Sequence, residues 1–274
     1  MNARSSPCQF FPDVVDKSPS SLGRAVALGA LVFFGGFAVM VLEIVGARYL
    51  QPWFGGTFYV WTSQIGVVML ALALGYAIGG RLADRWRRAQ YLGALLVPAA
   101  IAVLSIPTLA PGILNAIVDR HVEIAATEAV PAVVENDLLS GLDPDFLQGS
   151  DSNASEVQPI EKEKVTQVPA IWRKLDPAIG SAVVFLLPCF VLAMISPYMI
   201  RQAARQMTHV GTVSGLVYAA STVGSIGGVF VSAYVLIDHF SITTIFYLTG
   251  GLTLGLAGLC CLIDWLWPED SQEQ

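Results

Sequence analysis

"VWTSQIGVVMLALALGYAIGGRLADRWRR", from Val60 to Arg88, opens as a continuous apolar run and ends on Arg81, Arg85, Arg87 and Arg88. An α-helix needs about 20 apolar residues to cross the hydrocarbon layer of a bilayer. The portion Val60–Gly80 meets that length, and the arginines stop it where headgroups begin. A barrel strand would alternate apolar and polar residues; this run does not, so it reads as a membrane helix.

The rest of the chain repeats the pattern. Its 274 residues are 54% hydrophobic and 13% charged, with a mean hydropathy of +0.62. Soluble domains carry about a quarter of their residues as Asp, Glu, Lys or Arg. Half that charge makes lipid the main solvent. Six segments are long and apolar enough to span: 22–50, 60–80, 91–110, 178–196, 210–236 and 243–266. The expected class is therefore an all-α membrane protein of six transmembrane helices. It divides into a polar leader (1–21), helices one to three (22–110), an acidic segment (111–177), helices four to six (178–266) and a tail (267–274).

Basic residues orient such a chain, because Lys and Arg accumulate on the cytoplasmic side. Nine of the fifteen (Arg4, Lys17, Arg24, the four arginines above, Arg201 and Arg205) fall on one side of the six-span arrangement. Both termini are placed in the cytoplasm, and the expected location is the inner membrane of a bacterium. The leader has no apolar core of the kind a cleavable signal peptide carries.

The segment 111–177 holds twelve acids against five bases, a net of −7 by subtraction, against −6 for the whole chain. The acidity is thus local, lies outside the membrane, and implies no nucleic-acid partner. Its middle, "QGSDSNASEVQPIEKEK", reads as solvated. "ILNAIVDRHVEIAATEAVPAVV" is expected as an amphipathic helix on the outer interface, and Trp172 as an anchor for the fourth span. "NAS" at Asn153 matches a glycosylation acceptor, a weak signal by itself. Trp53, Trp61, Trp265 and Trp267 fall where an aromatic belt would sit.

No Cys or His spacing indicates a metal centre: Cys8, Cys189, Cys260 and Cys261 form no ligand motif, and His121, His209 and His239 are far apart. No cofactor and no catalytic residue is expected.

Small residues recur at helical spacing. The second span carries Ala71, Gly75 and Gly79; the fifth carries Gly211, Gly215 and Ala219, then Gly224, Gly228 and Ser232. Such stripes let helix backbones approach closely. Two of them, each on the second helix of a group of three, predict a repeated three-helix unit and a packing of one stripe on the other. An inverted three-plus-three repeat is the plan of half of a major facilitator transporter. "GYAIGGRLADRWRR" resembles that superfamily's loop between its second and third helices, which makes Arg81, Asp84 and Arg85 a candidate cytoplasmic motif. It acts either as a gate or as charged groups closing a loop, with Asp84 near a helix N-terminus.

A sharper likeness lies in "GFAVMVLEIVGARYLQPWFGGTFYVWTSQIGVVMLALALGYAIGGRLADR", with "SPYMIRQA" and "VGTVSGLVYAASTVGSIGGVFVSAYVLI". Together these resemble the membrane helices of spermidine synthase-like proteins fused to a facilitator-like domain. The likeness covers the six spans and not the acidic segment. In that family a soluble aminopropyltransferase-like domain follows, whereas this sequence ends at "DWLWPEDSQEQ". The resemblance therefore implies the membrane module without synthase chemistry.

Glu43 and Arg48 stand near the end of the first span. With entry near Val26, Glu43 falls in the outermost turn and Arg48 at the interface, free to snorkel or to bond carbonyls of the Gly55–Gly56 turn. Five positions put them about 140° apart, so they do not pair along the helix. Gly36, Met40, Glu43 and Ala47 share a face, which turns Glu43 into the bundle. It is either a cation or proton site or a satisfied clamp between two helices. Two functions are open: a non-catalytic membrane subunit binding partners through segment 111–177 and its helix faces, or a dimeric half-size transporter for a small cation, with polyamines implied by the family likeness.

Overall fold

The computed structural model describes residues 19–55, 58–86, 88–119, 123–124, 166–167, 172–203 and 210–267. Eight helices run through them: α1 (Pro19–Phe54), α2 (Phe58–Arg85), α3 (Ala89–Asp119), α4 (Trp172–Ala193), α5 (Ile195–Ala203), α6 (Val210–Val231), α7 (Ile237–His239) and α8 (Ile242–Leu266). A π-helical turn, Ser232–Leu236, joins α6 to α7. Two short strands, β1 (Glu123–Ile124) and β2 (Thr166–Gln167), pair antiparallel at the two ends of the acidic segment.

Six helical spans are long and apolar enough to cross a membrane: Gly23–Phe54, Phe58–Arg85, Ala89–Val118, Leu175–Ala203, Val210–His239 and Ile242–Leu266. The fourth contains both α4 and α5. Its break at Met194 has a local cause. Pro197 has no N–H to offer, and its ring presses on the carbonyl four residues back, at Ala193, where α4 ends.

Several boundaries differ from the sequence reading. The third helix does not stop at Ala110 but continues to Asp119, through Pro98, Pro107 and Pro111. Ile113–Asp119, expected to open a separate interfacial helix, is the end of α3 instead, and Glu123–Ile124 is extended. Apolar residues explain the extension: Leu114 and Ile117 are buried against the bundle. The remainder of that expected helix, the leader before Pro19, the side chain of Trp172 and Asn153 lie outside the described residues.

The helices pair in a defined way. The most extensive contacts are α3 with α8, α1 with α6, and α2 with α4. Next come α1 with α8, and α3 and α1 with α4. Exchange the first three spans for the last three, and each pairing maps onto another: α1–α6 becomes α4–α2, α1–α8 becomes α4–α3, and α3–α8 becomes itself. An odd number of spans per unit turns the second unit over relative to the first. The fold is thus an inverted three-plus-three arrangement, with α1 and α4 packed together at its centre.

Close backbone approach makes these pairings. A side chain at Gly224 would strike the carbonyl of Phe33, and one at Gly228 would lie 2.6 Å from the carbonyl oxygen of Phe37. On α2, a Cβ at Gly75 would lie 2.5 Å from the carbonyl oxygen of Phe190, and one at Gly79 would lie 2.9 Å from the Cα of Met194. The two small-residue stripes therefore do not pack on each other, as the sequence pattern suggested. Each packs on the first helix of the other unit. A stripe announces close approach but carries no information about which backbone approaches.

The other end of α6 is different: among the described residues, no atom outside the helix's own turn lies within 4 Å of a Cβ built at Gly211 or Gly215. Gly224→Leu is accordingly expected to lower thermal stability in detergent by about 3 kcal/mol, the upper end of overpacking costs, because a backbone carbonyl cannot swing aside. Gly215→Leu should leave the melting temperature of the isolated chain unchanged or slightly raised, since Leu is the better helix former. Equal losses in the two variants would refute this assignment of packed and open ends.

Candidate functional site

α2 and α6 make no extensive contact with each other. Between them, with α1 and the α4–α5 junction behind, lies a cleft of about 50 Å³. Gly35 and Gly36 of α1 form its floor, and Tyr76, Ser196, Ser221 and Ser225 supply its polar groups. Tyr218 of α6 lies within electrostatic range of Tyr76 of α2, across the opening. Glycine is required at position 36, where any side chain would collide with the carbonyl of Ser221. Space of this size holds a few water molecules, for which about 10–15 Å³ each suffices. No charged side chain lines it.

Glu43 stands on the same face of α1 as Gly36 and Met40, two turns and one turn further out. It is not in the outermost turn: α1 continues for eleven residues past it to Phe54, about 16 Å at 1.5 Å per residue. Glu43 therefore lies well inside α1 rather than at its end. Its Oε2 is buried and makes no hydrogen bond among the described residues, so the satisfied-clamp reading does not hold. Arg48 is exposed, forms no ion pair with Glu43 and does not bond the Gly55 turn. The two are not a pair.

A clamp does exist nearby, made of residues the sequence reading passed over. Gln64 of α2 is fully buried; its carbonyl oxygen accepts from the Ser181 hydroxyl of α4, and its amide faces the Leu42 carbonyl of α1 at 3.5 Å. A lone Gln inside an apolar run was the available signal.

The Arg81, Asp84 and Arg85 motif separates in space. Asp84 lies in the last turn of α2, not at a helix N-terminus, and pairs with Arg201 of α5 at 3.2 Å. Both groups are well exposed, so the pair contributes under about 1 kcal/mol. Arg81 and Arg85 are exposed and join no ion pair among the described residues. The carboxylate that does meet a helix N-terminus is Asp264 of α8. It accepts from the backbone N–H groups of Ala89 and Gln90, at 3.2 and 2.7 Å, and so caps α3. Nothing local reveals this, since the partners are 175 and 174 residues apart.

Among the described residues no group of three His, Cys, Asp or Glu side chains gathers to hold a metal. Cys189 and Cys260 are buried thiols and Cys261 is exposed. His239 bonds the Val235 carbonyl one turn back; His121 and His209 lie outside the described residues. The site is thus a small polar cleft with an isolated carboxyl beyond it. It suits water and protons and offers no nucleophile–base pair.

No family model, curated protein or solved structure matches this chain.

Asp264→Ala removes the acceptor for two N–H groups at once and should cost about 1–2 kcal/mol, as loss of a helix cap does. Asp264→Asn, which keeps a neutral acceptor, should lose less. Thermal melting of the two variants checks the order, and a loss-free Asp264→Ala would remove Asp264 from that role.

Proposed function

We propose that this chain is a non-catalytic integral membrane subunit, a scaffold that binds partner membrane proteins along helix faces its own fold leaves uncovered. The observation that carries the reading is the uneven burial of the spans. Only 17% of the central stretch of the α6-containing span is buried, against 61% for the α4–α5 span. The uncovered faces are not merely greasy. Gly211 and Gly215 of α6, and Gly251, Gly255 and Gly258 of α8, have open space where a side chain would stand. Against lipid alone, glycine lowers helix stability and returns nothing. Against another helix, it admits the close approach that drives association in a membrane.

In this reading the acidic segment 111–177 offers a second surface, outside the inner membrane of a bacterium, for a partner carrying basic groups. The likeness to the membrane helices of spermidine synthase-like proteins supports the same idea of a membrane module. A second reading, a half-size facilitator-like transporter closing its cleft by dimerisation, draws on the α2–α6 opening and on the inverted repeat. Its cargo would be a small cation such as a polyamine. An uncharged cleft of about 50 Å³ is small for such a cargo, which puts the scaffold reading first.

Purification of the full chain in mild detergent, with mass identification of what accompanies it, tests the scaffold. A stoichiometric companion is expected, retained by the wild type and lost from Gly215→Leu while the melting temperature holds. A Gly215→Leu chain that keeps its companion would defeat the assignment of that face, and a monodisperse monomer without companions would defeat the scaffold itself. Orientation has its own check in intact cells. A cysteine at Ser150 should react with an impermeant reagent and one at Arg87 should not; the reverse pattern would invert the topology.

A further inference from the structure

Two buried polar atoms in the helical interior lack partners among the described residues: Oε2 of Glu43 and Oγ of Ser232. Ser232 is fully buried, at the point where α6 turns π-helical. Buried polar groups are almost always bonded, and π turns gather at functional positions, so the coincidence calls for a cause.

α1 packs against α6 and against the π turn that holds Ser232, and neither polar atom bonds the other. α1 and α6 lie side by side in the same direction, since Gly224 meets Phe33 and Gly228 meets Phe37 and Met40. At Gly36 the neighbours are Ser221 and Ser225. Seven residues are close to two helical turns and restore the same face. Advancing both helices by seven carries Gly36 to Glu43 and Ser225 to Ser232. On the fourth span, which runs the other way, Cys189 of α4 stands seven residues before the cleft-lining Ser196 of α5, across the break at Met194, and is within electrostatic range of Glu43. Carboxyl, hydroxyl and thiol thus stand on three of the spans that line the cleft, beyond its lining residues.

We propose that Glu43 is a proton-binding site that exchanges with solvent through the cleft lined by Tyr76, Ser196, Ser221 and Ser225, and that Ser232 bonds the carboxyl once it is protonated. A hydronium in the cleft gives its proton to a carboxylate oxygen and leaves as water. No other bond is made or broken, and release is the reverse. A metal cation fits less well. Hard cations take six or more oxygens, and the side-chain oxygens here belong to one carboxylate and one hydroxyl. No fixed charge competes for the proton. Facing groups are the Cys189 thiol of α4, Ser232 of α6 and, within the cleft, Tyr76 of α2. The carboxylates Asp84, Asp119, Asp176, Asp238 and Asp264 all stand at span ends. The site does not depend on which partner the chain holds.

Infrared titration of the full chain in lipid tests it, from acid to alkaline pH, with Glu43→Gln alongside. The wild type should show a protonated-carboxyl band that vanishes reversibly at alkaline pH and is absent from Glu43→Gln throughout. Ser232→Ala should keep the band and shift its frequency. Identical spectra of wild type and Glu43→Gln at every pH would overturn the proposal, and an unmoved band in Ser232→Ala would remove Ser232 from it. Loss of the band on adding sodium or potassium chloride at constant pH would reassign the site to a metal cation and overturn the proton. Carbodiimide, which attacks protonated carboxyls, gives a second measurement on the unmutated chain. Modification should fall on the Glu43 peptide at acid pH and disappear at alkaline pH; a peptide unmodified at every pH would equally refute the site. Ser225→Cys blocked with a charged thiol reagent should slow the band's response at least tenfold, and an unchanged rate would overturn the cleft as the route.

Discussion

Glycine-to-backbone approach is the contact on which this fold depends. In hydrocarbon, one leucine against another gains little over leucine against lipid, so helices hold together where their backbones come close enough for dense packing. Two junctions meet that condition. Gly224 and Gly228 bring α6 onto the backbone of α1; Gly75 and Gly79 bring α2 onto the backbone at the α4–α5 junction. Because each junction joins the second helix of one unit to the first helix of the other, α1 and α4 are drawn to the centre and α2 and α6 are left apart. The cleft is a consequence of that geometry. Its floor is glycine for the same reason: at Gly36 the neighbouring chain is too near for any side chain.

Polar groups are distributed to suit this packing. Near the span ends they are paired across long sequence distances: Asp264 with the start of α3, Tyr198 with the Trp86 carbonyl, and Trp53 with Asn115 at 2.7 Å. These bonds tie helix ends whose backbone groups would otherwise be unsatisfied. Inside, the Gln64–Ser181 bond joins α2 to α4 and is closed on itself. Glu43 and Ser232 are the exception to this economy of polar groups. They sit where an unbonded polar atom is most unfavourable and are held there by the glycine contacts one and two turns away. A rigid backbone junction next to an unsatisfied carboxyl is the arrangement expected of a functional group, since packing alone gives no reason to retain it.

How much of this was legible in the chain follows from the range of each force. Transfer into lipid depends on local composition, so the six spans, their order and the all-helical class could be read directly from runs such as Val60–Gly80. The stripes at Ala71–Gly79 and Gly224–Ser232 announced close packing, because only small residues permit it. Glu43 stood out because a carboxylate among apolar residues is rare, and its direction into the bundle followed from sharing a face with Gly36 and Met40.

What the tertiary structure alone decided is everything that needs a second segment. Which backbone each stripe meets, α1 for Gly224 and α4–α5 for Gly75, depends on helix order in three dimensions, and a stripe carries no address. The position of Glu43 within its helix depended on where α1 ends, and the helix continues past Val45 with Tyr49 and Leu50 buried in the bundle. Asp84 was expected near a helix N-terminus, and the carboxylate that caps one is Asp264, because a carboxylate's partner is chosen by proximity across the fold, not by the loop in which it is written. The packing of α1 on the π turn of Ser232 belongs to the same class: periodicity fixes a face along one helix, and only packing says which face of another helix lies against it.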